Sequence, residues 1–282
     1  MKDTKITIIG CGNLGQSILK GLIKTKEIGG NRISVSKRNT ADLEHFKKHG
    51  VQVLTDNAKA IEGAELILLA LKPYNVLEVL KELAPAIDPD NQVVVSLATG
   101  VSLKELQATV GKETVVYRAM PNTAADVGTS MTCIASQSSS YDELVEGCFN
   151  SIGSCIRIDE TLMDSATVLG ACGVAFALRF IRGMVQGGIQ IGFDSKTASA
   201  IVNQTVKGAA QLLIEGQQHP EYEIDKVTTP KGCTISGLNV ELTNVKLALK
   251  RTNGKLSDGE KELAAVRNQL QTICLLYTSP SP

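Results

Sequence analysis

The chain has 282 residues, 43% hydrophobic and 21% charged, a composition typical of a soluble globular protein with room for two domains. Lys+Arg and Asp+Glu both number 29, so the formal net charge is zero. That excludes a polyanion-binding surface spread over the whole molecule, but not a local anion pocket. Seven cysteines and 3 histidines form no zinc-ligand spacing and no CxxC pair, so no metal site and no nucleic-acid partner are expected. The thiols read as reduced and the compartment as cytoplasmic.

In chain order, Ile6 to Ile9 is a short β-branched strand, and Leu14, Ile18, Leu19, Leu22 and Ile23 recur at helical spacing behind it. Arg32 to Ser36 predicts a second strand, Thr40 to His49 a helix ended by Gly50, and Val51 to Leu54 a third strand. Glu65 to Leu71 is nearly free of polar residues, as a strand covered on both faces should be. Val76 to Leu83 is helical, Gln92 to Leu97 a fifth strand, Ser102 and Glu105 have capping-box spacing, and Thr114 to Ala119 is a sixth strand. This alternation predicts an α/β fold, a Rossmann-type doubly wound parallel sheet over residues 1–157.

From Leu162 no strand pattern recurs, and small and long apolar residues at helical spacing predict an all-helical domain over 158–239, used in self-association. Its longest apolar stretch, Val168 to Phe193, carries Arg179 and Arg182 near the middle. Two central arginines are costly in lipid, so a buried helical region is expected and not a membrane span. Residues 240–282 read as an atypical tail, partly helical and then disordered.

Gly10-Cys11-Gly12-Asn13-Leu14-Gly15 is G-x-G-x-x-G placed after a strand and at a helix start. There it is a strong dinucleotide signature. Gly10 permits the tight turn, Gly12 lets a pyrophosphate approach the backbone, Gly15 lets helix pack on strand, and the helix N-terminus offers free N–H groups. The second strand ends in Ser36-Lys37-Arg38 with no carboxylate. A hydroxyl and cations suit a ribose 2′-phosphate, which favours NADPH and leaves NADH at lower preference. Lys37 or Arg38 as a merely solvated charge stays open.

These residues resemble the pyrroline-5-carboxylate reductase family, over about Lys5 to Asn239. The resemblance is carried by the glycine loop with Ser36 and Arg38, by Asn57, and by Ala70-Leu71-Lys72-Pro73. It extends to Arg118-Ala119-Met120-Pro121-Asn122-Thr123 and to the stretch from Val227 to Leu238, which holds Thr228-Thr229-Pro230-Lys231-Gly232-Cys233-Thr234. It implies reduction of 1-pyrroline-5-carboxylate to L-proline by hydride transfer from NADPH, the last step of proline biosynthesis. Cofactor contacts fall to Gly10, Cys11, Gly12, Asn13, Leu14, Gly15, Ser36, Arg38, Asn57 and Ala70 to Pro73. The resemblance makes Thr234 the catalytic residue, as donor to the ring nitrogen or its orienter and not as a strong acid. Thr229 and the N–H groups of Gly232, Cys233 and Thr234 hold the substrate carboxylate. Asn122 either contacts nicotinamide or substrate or turns the chain after Pro121. The resemblance also implies a homodimer, with assembly into rings left open.

Three departures stand out. Gly170-Ala171-Cys172-Gly173-Val174-Ala175-Phe176 replaces the family's usual Ser-Gly-Ser-Gly-Pro-Ala-Tyr, Ala124 replaces a proline, and Lys231 stands where glycine is common. If that last position needs a positive φ, lysine is strained there. Two other functions fit the architecture. A hydroxyacid dehydrogenase needs a lysine base in the helical domain, and Leu162 to Gly192 contains none. A cofactor-sensing protein would keep the glycine loop without needing the turn from Thr229 to Thr234.

Overall fold

The structure, a computed structural model, describes residues 4–235, 237 and 238. The expected tail over 240–282 lies outside them. The chain divides into two units, Met1–Leu178 and Arg179–Pro282.

The first unit is one eight-stranded sheet: β1 (Ile6–Ile9), β2 (Ile33–Ser36), β3 (Gln52–Leu54), β4 (Leu66–Leu69), β5 (Val93–Ser96), β6 (Val115–Met120), β7 (Ser130–Ala135) and β8 (Gly153–Arg157), in the order β3-β2-β1-β4-β5-β6-β7-β8. The six expected strands pair in parallel. The sheet then continues: β7 joins β6 antiparallel and β8 joins β7 parallel. The helices of this unit are α1 (Asn13–Thr25), α2 (Asn57–Ile61), α3 (Pro73–Leu83), α4 (Leu103–Val110), α5 (Asp142–Asn150) and α6 (Met163–Ala166).

Strand periodicity of two sorts the core into two layers. Ile6, Ile8, Leu66, Leu68, Val93, Val95 and Tyr117 face Ile18, Leu19 and Leu22 of α1 and Val145 and Phe149 of α5. Ile9, Ile67, Leu69, Val94 and Val116 face the other way, onto Ala60 and Ile61 of α2, Val76 and Leu80 of α3 and Leu106 of α4. Each such side chain, withdrawn from water, contributes about 1.5–3 kcal/mol before chain entropy is counted. The expected capping box closes on α4, where the Ser102 hydroxyl accepts from Glu105 N–H and Glu105 accepts from Ser102 N–H at 2.8 Å. The helix expected over Thr40 to His49 is instead a 3₁₀ segment, Glu44–His49, preceded by a turn. Only Leu43 and Phe46 are buried there, and apolar residues three apart suit the three-residue turn of a 3₁₀ helix.

After α6 the chain runs through six residues of π-helix, Thr167–Cys172, into α7 (Gly173–Gln190), within which the division between the two units falls. The second unit also holds α8 (Ser195–Gly216), whose first turn is capped by the Asp194 carboxylate, and α9 (Pro220–Val227). Here the expectation of a buried helical region is corrected. α7 buries none of its side chains within one chain, and Phe176, Leu178, Phe180 and Ile189 are exposed. Glu160–Gln190 is long and apolar enough to cross a membrane by length and composition alone. Among the described residues this apolar face is left bare, and a bare apolar face of this size marks a surface made to be covered.

Candidate active site

The sheet order reverses at β1: the chain leaves it for β2 and β3 on one side and returns to β4 on the other. In open α/β sheets the crevice at such a reversal, beyond the carboxyl ends of the strands, is where ligands bind. The glycine loop follows β1 and Ala70 to Pro73 follow β4, so both motifs border this crevice.

The three glycines have different geometries, and each fits its expected part. Gly10 has φ +77° and packs under Leu71, with Ala70 O 3.0 Å from where a Cβ would stand. Gly15 sits on the strands: a Cβ there would meet Ala70 Cβ and Ile8 Cγ2 at 3.3 Å. At Gly12 a Cβ would have Gly10 O, 3.8 Å away, as its nearest neighbour, so the flank of this residue is open. Gly12 is also the N-cap of α1 and supplies no side-chain acceptor, so the first N–H groups of α1, from Asn13, Leu14 and Gly15, remain for a ligand. Open space at a glycine, under an uncapped helix N-terminus, is the shape and polarity of a pyrophosphate site.

The end of β2 holds this loop in place. Ser36 O accepts from both Gly10 N–H at 2.9 Å and Cys11 N–H at 3.2 Å. The Ser36 hydroxyl, fully buried, donates to Asn57 Oδ1 at 2.7 Å, so two residues expected at the adenosine end of the cofactor are bonded to each other. Asn57 opens α2 behind its cap Asp56. Cys11 is buried, and burial pushes its thiol up to about 12, which makes it inert filling and not a nucleophile. Lys37 and Arg38 differ. Lys37 Nζ lies 2.6 Å from Asp42 Oδ2, whereas Arg38 is exposed and has no ion-pair partner among the described residues. Lys72 caps α3 with Pro73 in its first turn.

Asn122 follows β6 and its side chain is already engaged. Its Oδ1 accepts from Ala124 N–H at 3.0 Å, and its Nδ2 donates to Gly170 O in the π-helical segment at 3.2 Å. Of the two expectations for Asn122, the observed bonds are those of the chain turn, with one Nδ2 hydrogen to spare. In the second unit, Thr228 ends α9 and donates to Ile224 O at 2.7 Å. Gly232 N–H donates to Thr229 O at 2.9 Å and closes a turn, so it is not available to a substrate carboxylate. The N–H groups of Cys233 and Thr234 open the next helical turn. A Cβ on Gly232 would collide with the Thr229 hydroxyl. Lys231 has φ +57°, the left-handed conformation that its departure from glycine brought into question. Among the described residues no group of three His, Cys, Asp or Glu side chains is placed to hold a metal.

Sequence reasoning passed over Asp42 and Glu160. Asp42, four residues past Arg38, grips Lys37 and Gln16; an acid closely following a basic pair was the available signal. Glu160 binds Arg118 across 42 residues of chain, which no local pattern reveals.

A Rossmann sheet with an open glycine loop at its reversal point, followed by a helical unit, defines an NAD(P)-binding oxidoreductase. Comparison with known proteins agrees. Residues 5–100 match the model for NADP oxidoreductase, coenzyme F420-dependent, and residues 160–253 that for pyrroline-5-carboxylate reductase dimerisation. The chain is 39% identical over 251 residues to pyrroline-5-carboxylate reductase 1 of Dictyostelium discoideum, covering 84% of this chain and 45% of that one. It is 35% identical to pyrroline-5-carboxylate reductase 2 of the same organism, over 85% of this chain and 86% of the relative. It thus spans about half the length of the first relative and most of the second. The solved pyrroline-5-carboxylate reductase of Coxiella burnetii superposes with a TM-score of 0.78 at 29% identity, over 92% and 98% of the two chains. The chain belongs to the pyrroline-5-carboxylate reductase family. The match to residue 253 extends the likeness beyond Asn239, where the sequence motifs end.

Proposed function

We propose that this chain reduces 1-pyrroline-5-carboxylate to L-proline with NADPH, and with NADH at lower preference. The observation that carries the reading is the open flank of Gly12 under the uncapped start of α1, at the crevice between β1 and β4, in a member of this family. The loop from Gly10 to Gly15 receives the pyrophosphate, and Ala70 to Pro73 lie along the cofactor. Arg38, exposed and without an ion-pair partner among the described residues, meets the 2′-phosphate, and the Ser36–Asn57 pair shapes the adenosine end. The bound cofactor supplies the hydride.

A cyclic imine asks little of acid–base groups, since protonation of its nitrogen already makes the neighbouring carbon electrophilic. Hydride goes to that carbon and the nitrogen keeps its proton, so the chain's task is to position the substrate. The Thr234 hydroxyl orients the ring nitrogen, accepting from its N–H while it is protonated and donating to the lone pair that hydride transfer creates. Thr229 and the N–H groups of Cys233 and Thr234 receive the carboxylate, and Gly232 lets that turn close. Asn122 reaches the nicotinamide or the substrate with its remaining donor. The exposed apolar face of α7 is covered by a second copy, which makes the chain a homodimer. Among the described residues Cys11, Cys133, Cys148, Cys155 and Cys233 are free thiols, which fits a reducing cytoplasm.

The test is NADPH oxidation by the purified protein with and without 1-pyrroline-5-carboxylate, with Thr234→Ala alongside. Substrate-dependent oxidation, lowered in kcat/KM by about 10²-fold in the variant, is expected. Binding of NADPH with no substrate-dependent oxidation overturns the assignment.

A further inference from the structure

Beside the glycine loop lies a charge cluster that the proposed cofactor contacts do not use. Lys37, one residue past β2, has its ammonium 2.6 Å from Asp42 Oδ2. The same oxygen accepts from Gln16 Nε2, on the second turn of α1, at 2.8 Å. Lys37 follows Ser36, whose carbonyl accepts from the Gly10 and Cys11 N–H groups, and Gln16 lies on the helix that the loop opens, so the pair stands at the rim of the loop. It is also open to solvent, with side chains 31% and 47% exposed. Arg38 next to it is exposed and unpaired among the described residues.

Two cations thus follow β2, and one of them is held by a carboxylate. A 2′-phosphate at this strand end would meet Arg38 directly. It would meet Lys37 only by drawing it from Asp42, and the Asp42 charge would repel it. We propose that Asp42 sets the selectivity of this site between 2′-phosphorylated and unphosphorylated adenosine riboses, by occupying the Lys37 ammonium and placing a negative charge beside the phosphate. An exposed ion pair is weakened by solvent. A dianionic phosphate can therefore compete for Lys37, and Asp42 tempers the preference without abolishing it. The Gln16 amide, fixed on α1, keeps the carboxylate where it grips Lys37. Removing the charge while keeping an acceptor frees Lys37 and ends the repulsion. A ligand without the 2′-phosphate feels neither change.

This inference rests on the dinucleotide reading, and two probes keep the two apart: adenosine 2′,5′-bisphosphate and adenosine 5′-monophosphate, titrated calorimetrically into the full-length protein. In Asp42→Asn the bisphosphate is expected to bind about tenfold tighter, while the monophosphate changes less than about twofold. Adding Lys37→Gln to Asp42→Asn should remove most of that gain. With NADPH and NADH as ligands, the ratio of their dissociation constants should move the same way. Unchanged bisphosphate affinity in Asp42→Asn overturns the proposal. So does an equal gain for both probes, or a gain that survives in the double variant. If the unsubstituted protein binds neither probe, the dinucleotide reading falls, and this proposal with it.

Discussion

Arg118 in β6 and Glu160, just before α6, meet at 3.1 Å between Nη1 and Oε1, and the same Glu160 oxygen accepts the Leu103 N–H at the start of α4. Three segments distant in sequence are thus tied at one carboxylate: the sixth strand, a helix N-terminus and the lead into the helical half. The arginine side chain is 7% exposed, and its Nε and Nη2 have no partner among the described residues. A guanidinium this buried depends on the carboxylate it pairs with, since removing that partner leaves a poorly compensated charge in low dielectric. Glu160→Ala is expected to destabilise the protein by about 3 kcal/mol, and Glu160→Gln, which keeps an acceptor for Leu103 N–H, by less. Urea unfolding of the three proteins measures this. An alanine variant within about 0.5 kcal/mol of the parent would show that the tie contributes nothing.

The glycine loop separates folding from binding at neighbouring positions. Gly10 has a positive φ and lies against Leu71 and Ala70, so Gly10→Ala should cost about 1–2 kcal/mol of stability. Gly12 has φ −82° and an open flank, so Gly12→Ala should leave stability within about 0.5 kcal/mol yet weaken NADPH binding at least about tenfold, by filling the approach to the backbone. Thermal unfolding without ligand and fluorescence titration with NADPH give the two readouts. Equal stability losses in both variants would contradict this division of roles between the two glycines.

What was legible in the sequence follows from what each strand touches. β1, β4 and β5 are buried on both faces, so Ile6–Ile9, Leu66–Leu69 and Val93–Ser96 read as near-continuous apolar runs bounded by turns. β7 carries the buried polar residues Ser130 and Thr132 and the exposed Met131. β8 is an edge strand, Gly-Ser-Cys-Ile-Arg, with no fully buried residue. Neither has an apolar period, and their places come from pairing with β6 and with each other. In the site, the glycine spacing was legible because its chemistry is local. The grip of Asp42 on Lys37, the Ser36–Asn57 bond and the use of Asn122 as a cap depend on segments meeting in space. The bare face of α7 shows the same limit: periodicity marks a helix as apolar, not what covers it.

Lys231 stands at φ +57° in the turn from Thr229 to Thr234. A side chain with a Cβ gives up about 1–2 kcal/mol in that conformation, and Lys231 is exposed, with no ion pair among the described residues to repay it. Lys231→Gly is therefore expected to raise the thermal midpoint by about 2–4 °C. A similar gain at Gln217, which ends α8 at φ +49°, would tie the effect to backbone conformation and not to loss of the lysine charge. A lower midpoint for Lys231→Gly would mean that the flexibility gained by the unfolded chain outweighs the strain relieved.

Tyr117, Asp142 and Arg157 join β6, α5 and β8 at the sheet's far edge. The Tyr117 hydroxyl donates to Asp142 Oδ1 at 2.7 Å, and the Arg157 guanidinium pairs with the same carboxylate and donates to Ser138 O at 2.9 Å. The Arg157 hydrogen bond, opposed by desolvation and helped by Tyr117, holds Asp142 below its usual 3.8, while burial and the Asp142 contact push Tyr117 up to about 12. For a carboxylate depressed in the folded state, the unfolded chain takes up the proton first as pH falls. The stabilisation is therefore complete well above the ordinary carboxylate range and is lost as pH falls through the folded-state value. Asp142→Asn should cost stability at pH 7, with the gap to the parent narrowing steadily between about pH 5 and pH 3. Urea midpoints across that range give the curve. A gap independent of pH would mean that the asparagine is felt as altered packing, and that the Asp142 charge contributes nothing to holding β8 on the sheet.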